Sequence, residues 1–530
     1  MKSNLHLFLF AAFALTFSSC NTALAPIKST DVANIDKVPL KTTPLKPADL
    51  QRWSNLDLSK DTVPGMSVDR AYAELLKGKK GVQVIVGVVD SGLDIDHVDL
   101  KGRIWKNSKE IPGNKIDDDK NGYIDDINGW NFLGEATDEN LELTRIVKKG
   151  DNGSPEYKAA KAALDAKLAE TAPQKQQVDM ISNADKAIRA HLKKDVYTLA
   201  DIKAITTTDA SLNQSKMIMS SVATQAGDGF QEEIKSYIDY IYDQLNYNLN
   251  VNFIGRKTND NPDDMVSKFY GNGNVKGPDV EDALHGTHVA GIIAQIRGNK
   301  LGSDGVCSNA VIMSVRAVPN GDEYDKDIAL GIRYAVDNGA KVINGSFGKD
   351  FSTHKEWVWD AIKYAASKDV LIVTAAGNDG KNVDVEPSYP TDSPDKTTEI
   401  SDNYLCVGAL NFEYGANVVA NFSNYGSNNV DVYAPGMKIY ATVPNNKYKM
   451  EQGTSMASPN VAGVAALIRS YYPKLTASQV KHIIMDSGTA LTNEVILGET
   501  KEKRNFAQAS KSGRIVNAYN ALVAAEKMSK

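Results

Sequence analysis

Residues Val82-Gln83-Val84-Ile85-Val86-Gly87-Val88-Val89 form a nearly continuous apolar run that ends on Asp90. A strand with one wet face alternates apolar and polar side chains. A run without that alternation needs cover on both faces, as in a central strand of a parallel sheet. Further runs of this kind lie at residues 311–315, 342–343, 370–374 and 405–407. Between them are helical periodicities. Ile328, Ile332, Ala335 and Val336 share one face, and Val461, Val464, Ala465 and Leu467 share another. Strands alternating with helices predict an α/β fold, a parallel sheet flanked by helices. Open sheets of this type carry their chemistry beyond the carboxyl ends of the strands, and Asp90 is placed there.

Residues 134–271 break the alternation. No strand pattern occurs there, and the composition shifts to Ala, Lys, Asp, Gln and Glu. Ser154-Pro155 reads as a helix start, with a capping serine and proline at the first helical position. Tyr157, Leu164 and Leu168 follow at helical spacing. Phe230, Ile234, Ile238, Ile241 and Leu245 mark one face of another helix, with Tyr237 beside it. The segment is expected to be a helical insertion. A substrate-gating lid, a partner-binding module and a simple elaboration are the open readings. The last is favoured because loops of a sound scaffold tolerate long insertions.

The chain has 530 residues, of which 42% are apolar and 24% charged. That is ordinary for a soluble globular protein and excludes a disordered or polytopic membrane chain. Lys plus Arg number 60 against 66 Asp plus Glu, a net charge of −6. A protein that coats nucleic acid would lean the other way, so no nucleic-acid partner is expected. The only cysteines are Cys20, Cys307 and Cys406, too few for a disulfide scaffold or a four-cysteine metal knuckle. The start is basic (Met1-Lys2), residues 5–17 are apolar but too short to span a bilayer, and Ser18-Ser19 precede Cys20. This resembles a bacterial lipoprotein signal peptide over 1–19, with a lipid anchor at Cys20, although Phe17 stands where an aliphatic residue is usual. The alternative is a plain secretory signal with an incidental cysteine. Both readings predict export: a membrane-anchored lipoprotein facing the periplasm or the cell surface, or a secreted protein. Residues 20–64, rich in Pro, Thr and Lys, are expected to be a tether.

Three motifs carry candidate chemistry. Val88-Val89-Asp90-Ser91-Gly92-Leu93 puts a carboxylate at a strand end. His285-Gly286-Thr287-His288-Val289-Ala290-Gly291 puts a histidine near the start of a helix whose small residues allow close approach. Gly453-Thr454-Ser455-Met456-Ala457-Ser458-Pro459 puts a serine just before an apolar helix, in the positive field of its amino terminus, with Pro459 in the first turn. Each motif alone has a plain structural explanation. Together, in the order Asp, His, Ser, they resemble the subtilases, the subtilisin-like serine proteases, for which this chain order is known. The resemblance extends to Ser346-Phe347-Gly348, Ala375-Ala376-Gly377-Asn378, Asn421-Phe422-Ser423-Asn424-Tyr425-Gly426 and Tyr433-Ala434-Pro435-Gly436.

The resemblance implies a subtilisin-like peptidase domain over 65–133 and 272–490. A helical insertion would occupy 134–271 between the catalytic Asp and His, and a C-terminal extension, 491–530, would pack on or near the domain. It implies a serine endopeptidase with Ser455 as nucleophile, His285 as general base and acid, and Asp90 orienting the imidazole. Asn378 would complete the oxyanion hole with the Ser455 backbone N–H. Ser346, Phe347 and Gly348 would run alongside the substrate as an added strand. Ala375, Ala376 and Gly377 would line a side-chain pocket roomy enough for an apolar residue. Protein or peptide substrates are implied, and no cofactor is needed for the chemistry. His285 is preferred to His288, and His97 reads as structural. A folded prodomain is not expected before the core, which leaves the insertion as a candidate for that role. An inactive peptide-capturing relative and a peptide ligase are the alternatives to hydrolysis.

Residues 117–126, Asp-Asp-Asp-Lys-Asn-Gly-Tyr-Ile-Asp-Asp, resemble the start of a calcium loop. Asp117, Asp119, Asn121 and Asp125 are the candidate ligands of a structural Ca2+. The glutamate expected at the twelfth position is replaced by Asn128.

Overall fold

The computed structural model describes residues 45–227, 229–386, 388–498 and 500–530. The expected signal peptide, Cys20 and the first part of the expected tether lie outside these residues. The strands are β1 (Val84–Asp90), β2 (Gly129–Asn131), β3 (Ala310–Arg316), β4 (Val342–Gly345), β5 (Leu371–Ala375), β6 (Tyr404–Leu410), β7 (Val432–Pro435), β8 (Ile439–Val443), β9 (Lys447–Glu451), β10 (Thr489–Ala490), β11 (Glu494–Leu497), β12 (Glu502–Asn505) and β13 (Arg514–Ile515). Nine of them form one sheet in the order β10-β13-β7-β6-β5-β4-β1-β3-β2. Every pairing in that sheet is parallel except β10 with β13. The fold is the α/β arrangement that the apolar runs predict.

The helices are α1 (Pro47–Leu50), α2 (Leu58–Asp61), α3 (Val68–Glu74), α4 (Glu142–Lys148), α5 (Pro155–Leu192), α6 (Leu199–Ala204), α7 (Ala210–Ala226), α8 (Phe230–Asp243), α9 (Leu284–Ala294), α10 (Asp325–Asp337), α11 (Lys355–Ser367), α12 (Thr454–Tyr471), α13 (Ala477–Ser487) and α14 (Ala518–Ser529). On one face of the sheet Val86, Val88, Ile312 and Val373 pack with Val289 and Ile293 of α9 and Val461, Val464 and Leu467 of α12. On the other, Val89, Val315, Ile343 and Ile372 pack with Ile328 and Ile332 of α10 and Val358 and Ile362 of α11. Cover on both faces is why the β1 sequence shows no polar alternation. The chain winds from β1 to β3 on one side and then crosses to β4 on the other, so β1 sits where the strand order reverses. Asp90 ends that strand, at the crevice such a reversal opens.

The insertion is helical from α4 to α8. The Ser154 hydroxyl caps α5 by accepting from Tyr157 N at 3.0 Å, and Pro155 is its first residue. Leu164 packs with Leu143 and Ile146 of α4, and Tyr157 and Leu168 join them. A second cluster gathers Ile188, Met219, Phe230 and Ile234 from α5, α7 and α8. Leu245, expected on the face of α8, falls beyond it in a π-helical turn, Gln244–Asn248.

Two expectations need correction. Residues 45–64 are folded, not tether. Trp53, only 1% exposed, and Leu58 and Val63 belong to the main core, and the Trp53 indole donates to Met437 O at 3.0 Å. The apolar residues of this stretch anchor singly, so no period betrays them. Pro459 lies in the second turn of α12, not its first, and Ser455 is the second residue of that helix, with Gly453 as its cap. The C-terminal extension is integral: Ile515 of β13 pairs with Tyr433 of β7, and α14 packs against α3 and α13. Cys307 is buried and Cys406 half-buried, both as free thiols. Among the described residues no helix is long and apolar enough to cross a membrane.

Candidate active site

Asp90 is 2% exposed. Its Oδ1 accepts from Ser91 N at 2.8 Å and lies 2.7 Å from His285 Nδ1. Its Oδ2 is buried and has no hydrogen-bond partner among the described residues. His285 is the second residue of α9, and Gly286 lets that helix close on the turn after β1. A Cβ at Gly286 would stand 2.0 Å from Gly92 O and 3.2 Å from the Asp90 Cβ. Thr287 adds a tie, its hydroxyl accepting from Asp94 N at 2.9 Å. Burial pulls the His285 pKa down, but the Asp90 charge and hydrogen bond, helped by Glu451, hold it above the usual imidazole value. With Nδ1–H bonded to the carboxylate, Nε2 is left as the basic nitrogen. The ring is 39% exposed.

Ser455 comes to the same cleft from α12. Its hydroxyl donates to Ser346 O at 3.2 Å. The Ser346 hydroxyl in turn donates to Ser455 O at 2.9 Å and lies 2.8 Å from Ser458 Oγ. This pair locks the end of β4 beneath the first turn of α12. Asn378 Oδ1 accepts from Thr454 N at 2.8 Å and from the Thr454 hydroxyl at 3.0 Å. With its oxygen held on Thr454, the amide must turn its NH2 the other way. Gly453, at φ +150°, is the hinge that brings α12 to this contact.

A cleft of about 910 Å³ joins these groups. Asp90, His285, Ser455, Asn378, Ser346, Phe347, Gly348, Ala375 and Gly377 all line it. Ala376 does not. It is 2% exposed and lines a small separate pocket with Ala375, Ser388 and Pro390, because successive residues of an extended segment point to opposite faces. The other two histidines weighed from the sequence are occupied elsewhere. His97 is buried, accepting from Asp99 N at Nδ1 and donating from Nε2 to Lys447 O. His288 is buried against Ile439 O and Lys449 O, tying α9 to the β8–β9 hairpin, and burial pushes its pKa down to about 4.

The insertion supplies the far wall. Lys167 of α5, Asp239, Tyr242 and Asp243 of α8, and Tyr247 line the cleft, with Asp138 and Asp282 nearby. Burial and the neighbouring Asp138 and Asp239 raise the Asp243 pKa, and burial with Asp279 and Asp138 raises that of Asp282. The cleft lining is therefore rich in carboxylates, although the pocket segment itself holds small apolar residues. No spacing rule singles out the insertion's residues, since they reach the cleft only through its tertiary path, whereas Asp282 precedes His285 by three positions.

The acidic loop departs from its predicted ligand set. Glu110, Asp117 and Asp119 bring carboxylate oxygens within 4.8 Å of one another. Asp125 is turned away, accepting from Gly113 N and Lys115 N. The Asn121 amide instead donates to Asp126 at 3.0 Å. Glu110 went unread because it precedes the loop and is carried back by the chain reversal at 111–115. The three carboxylates suit a hard cation in charge and ligand type.

A model of the subtilase family matches residues 81–508. Among curated proteins, the chain is 45% identical over 188 residues to a thermophilic serine proteinase of a Bacillus species (strain AK1), covering 35% of this chain and 42% of that one. It is 38% identical over 240 residues to the cell wall-associated protease of Bacillus subtilis, covering 45% of this chain and 24% of that one. It is 30% identical over 359 residues to subtilisin E of Bacillus subtilis, covering 67% of this chain and 82% of that one. The chain thus spans less than half the length of the first two relatives and most of the third.

Proposed function

The chain belongs to the subtilase family, and on that premise we propose that it is a serine endopeptidase acting on proteins or peptides through Asp90, His285 and Ser455. The observation that carries this reading is the 2.7 Å contact between His285 Nδ1 and Asp90 Oδ1, beside Ser455 at the head of α12 and within one cleft. Nδ1–H is held by the carboxylate, so Nε2 is free to act as base. The Ser455 hydroxyl, resting on Ser346 O at 3.2 Å, must leave that acceptor for the imidazole when the reaction begins. Such hydrogen bonds are often unformed before substrate arrives.

In the forward reaction Ser455 Oγ attacks the scissile carbonyl carbon and its proton passes to His285 Nε2. The carbonyl oxygen gains negative charge beside the Ser455 N–H and the Asn378 amide. The C–N bond then breaks, His285 gives its proton to the leaving amine, and an acyl-enzyme remains on Ser455. Water then attacks the acyl carbon and gives a proton to the same imidazole, which passes it to Ser455 Oγ as the C–Oγ bond breaks and the acid leaves. Ser346, Phe347 and Gly348 offer an edge for an extended peptide, and Ala375 and Gly377 leave room for an apolar side chain. No cofactor takes part.

A Ca2+ held by Glu110, Asp117 and Asp119 would be structural, bracing the loop that leads into β2. The lipid anchor at Cys20 and an exported, membrane-bound location belong to the same reading and rest on the amino-terminal sequence. Mass analysis of a peptide incubated with the native chain and with Ser455→Ala tests the function. Fragments carrying one added water from the native chain alone support hydrolysis. Rejoined peptides would favour ligation, and an unchanged peptide would favour capture.

A further inference from the structure

The root of the insertion carries a buried charge cluster that joins two segments lining the cleft. Glu142, the first residue of α4, is 3% exposed. Its Oε1 accepts from the Thr353 hydroxyl at 2.8 Å. Its Oε2 accepts from Arg145 Nε at 3.0 Å, again from Arg145 Nη2, and from Lys349 Nζ at 3.3 Å. Its backbone N–H donates to Asp322 Oδ2 at 2.7 Å. Arg145, also buried, spends its remaining donors on backbone: Nη1 on Asp322 O at 2.7 Å and Asn140 O at 2.9 Å, Nη2 on Glu323 O at 3.0 Å. Its guanidinium lies 4.1 Å over the Tyr324 ring. Lys349 donates to Glu323 O at 2.8 Å and pairs with Asp325 at 3.0 Å.

Asp322, Glu323 and Lys349 all line the cleft, Lys349 directly after Ser346, Phe347 and Gly348. Two backbone segments that are far apart in sequence are therefore fastened to one carboxylate and one guanidinium of the insertion. Buried ion pairs return little net stability, because desolvation offsets their attraction. Their best-attested use is to fix register. A guanidinium suits that use, since its planar fork fixes several acceptors at once.

We propose that Glu142 and Arg145 are positioning residues for the substrate. Through Lys349 and the carbonyls of Asp322 and Glu323, they set the spacing between the cleft-lining 322–323 segment and the 346–349 segment offered to an extended peptide. The insertion is then part of the substrate cleft rather than a lid laid over it. This rests on the peptidase reading for its catalytic consequence, though not for its effect on peptide binding.

The test uses the full chain carrying Glu142→Gln, with a quenched hexapeptide as substrate and a fluorophosphonate as a probe that needs only the triad. KM for the hexapeptide is expected to rise on the order of ten-fold, with kcat and the labelling rate within about two-fold, the pattern of lost uniform binding. In parallel, Kd for the uncleaved hexapeptide is measured on Ser455→Ala with and without Glu142→Gln, where the same rise is expected. If Glu142→Gln does not fold, Thr353→Val removes one donor and leaves every charge paired, and a KM rise of a few-fold is expected. An unchanged KM and Kd in a folded variant would overturn the proposal. So would a labelling rate that falls with KM, which would assign the cluster to the triad. A native chain that binds the peptide but neither labels nor cleaves would refute the peptidase reading instead, leaving the Kd comparison to decide this one.

Discussion

Replacing Gly286 by alanine separates a local from a tertiary account of the active site. Gly286 lies in α9, where alanine is intrinsically favoured over glycine by about 0.5–1 kcal/mol. Helix propensity alone thus predicts a slightly more stable protein. The structure predicts the reverse. The new Cβ would stand 2.0 Å from Gly92 O, against the 3.0 Å below which such contacts essentially never occur. The difference is about 1 Å, and the obstacle is backbone, so the start of α9 and the turn after β1 must part by that much. The His285–Asp90 contact of 2.7 Å would then open beyond hydrogen-bond range. Overpacking of this kind costs about 1–3 kcal/mol of stability. Misplacing a catalytic group by 1 Å costs on the order of 10²-fold in rate. The assay is kcat/KM on a quenched peptide together with the melting temperature. Gly291→Ala serves as the control. On the same helix it meets the Thr442 hydroxyl at 2.2 Å, far along α9 from Asp90. It should lower stability without a comparable loss of turnover. A Gly286→Ala enzyme that keeps its kcat within a few-fold at an unchanged melting temperature would refute the reasoning.

Because the folded-state pKa of His285 is raised, its protonated pairing with Asp90 stabilises the fold below the ordinary value of 6.5 and is lost as pH climbs through the raised value. Activity runs the other way, since the base must be neutral. kcat/KM should rise with an inflection above 6.5 that falls below it in Asp90→Asn, and a pH profile that does not move would contradict the assignment. Asn378→Ala should lower kcat by about 10²–10³ with little change in KM, the size known for the equivalent loss in subtilisin. Adding EDTA should lower the melting temperature, calcium should restore it, and Glu110→Gln should abolish the response. An identical melting curve under all conditions would remove calcium from the account.

The parts of the fold legible in the sequence are those where one physical demand acts alone. β1, β3, β4, β5 and β6 are buried on both faces, and their apolar runs announce them. β2 spans only Gly129–Asn131, and β10 and β13 have two residues each, too short for any period to register. The residues of the proposed triad could be picked out only because their motifs together resemble a family, each motif alone having a plain structural explanation; the structure brings all three to one cleft. Ala376 lines a small pocket with Ala375 instead of the main cleft, because a motif names neighbours without telling which face each one takes. Glu110 was missed because loop spacing looks forward along the chain, whereas a reversal brings this ligand from behind. Trp53 and Glu142 were invisible for a related reason. The first anchors an aperiodic segment, and the second gains its meaning only when α4 meets segments 322–325 and 349–353. Pairwise contacts across such distances are set by topology, which local patterns do not encode.

The central claim is that Ser455 is an activated nucleophile in a cleft that His285 and Asp90 share. Labelling by a fluorophosphonate tests it most directly, on the folded chain beside Ser455→Ala and His285→Ala. The account predicts one adduct, mapped to Ser455, in the native chain. It predicts none in Ser455→Ala and a labelling rate lower by several powers of ten in His285→Ala. Labelling at another residue, or equal rates with and without His285, would contradict it.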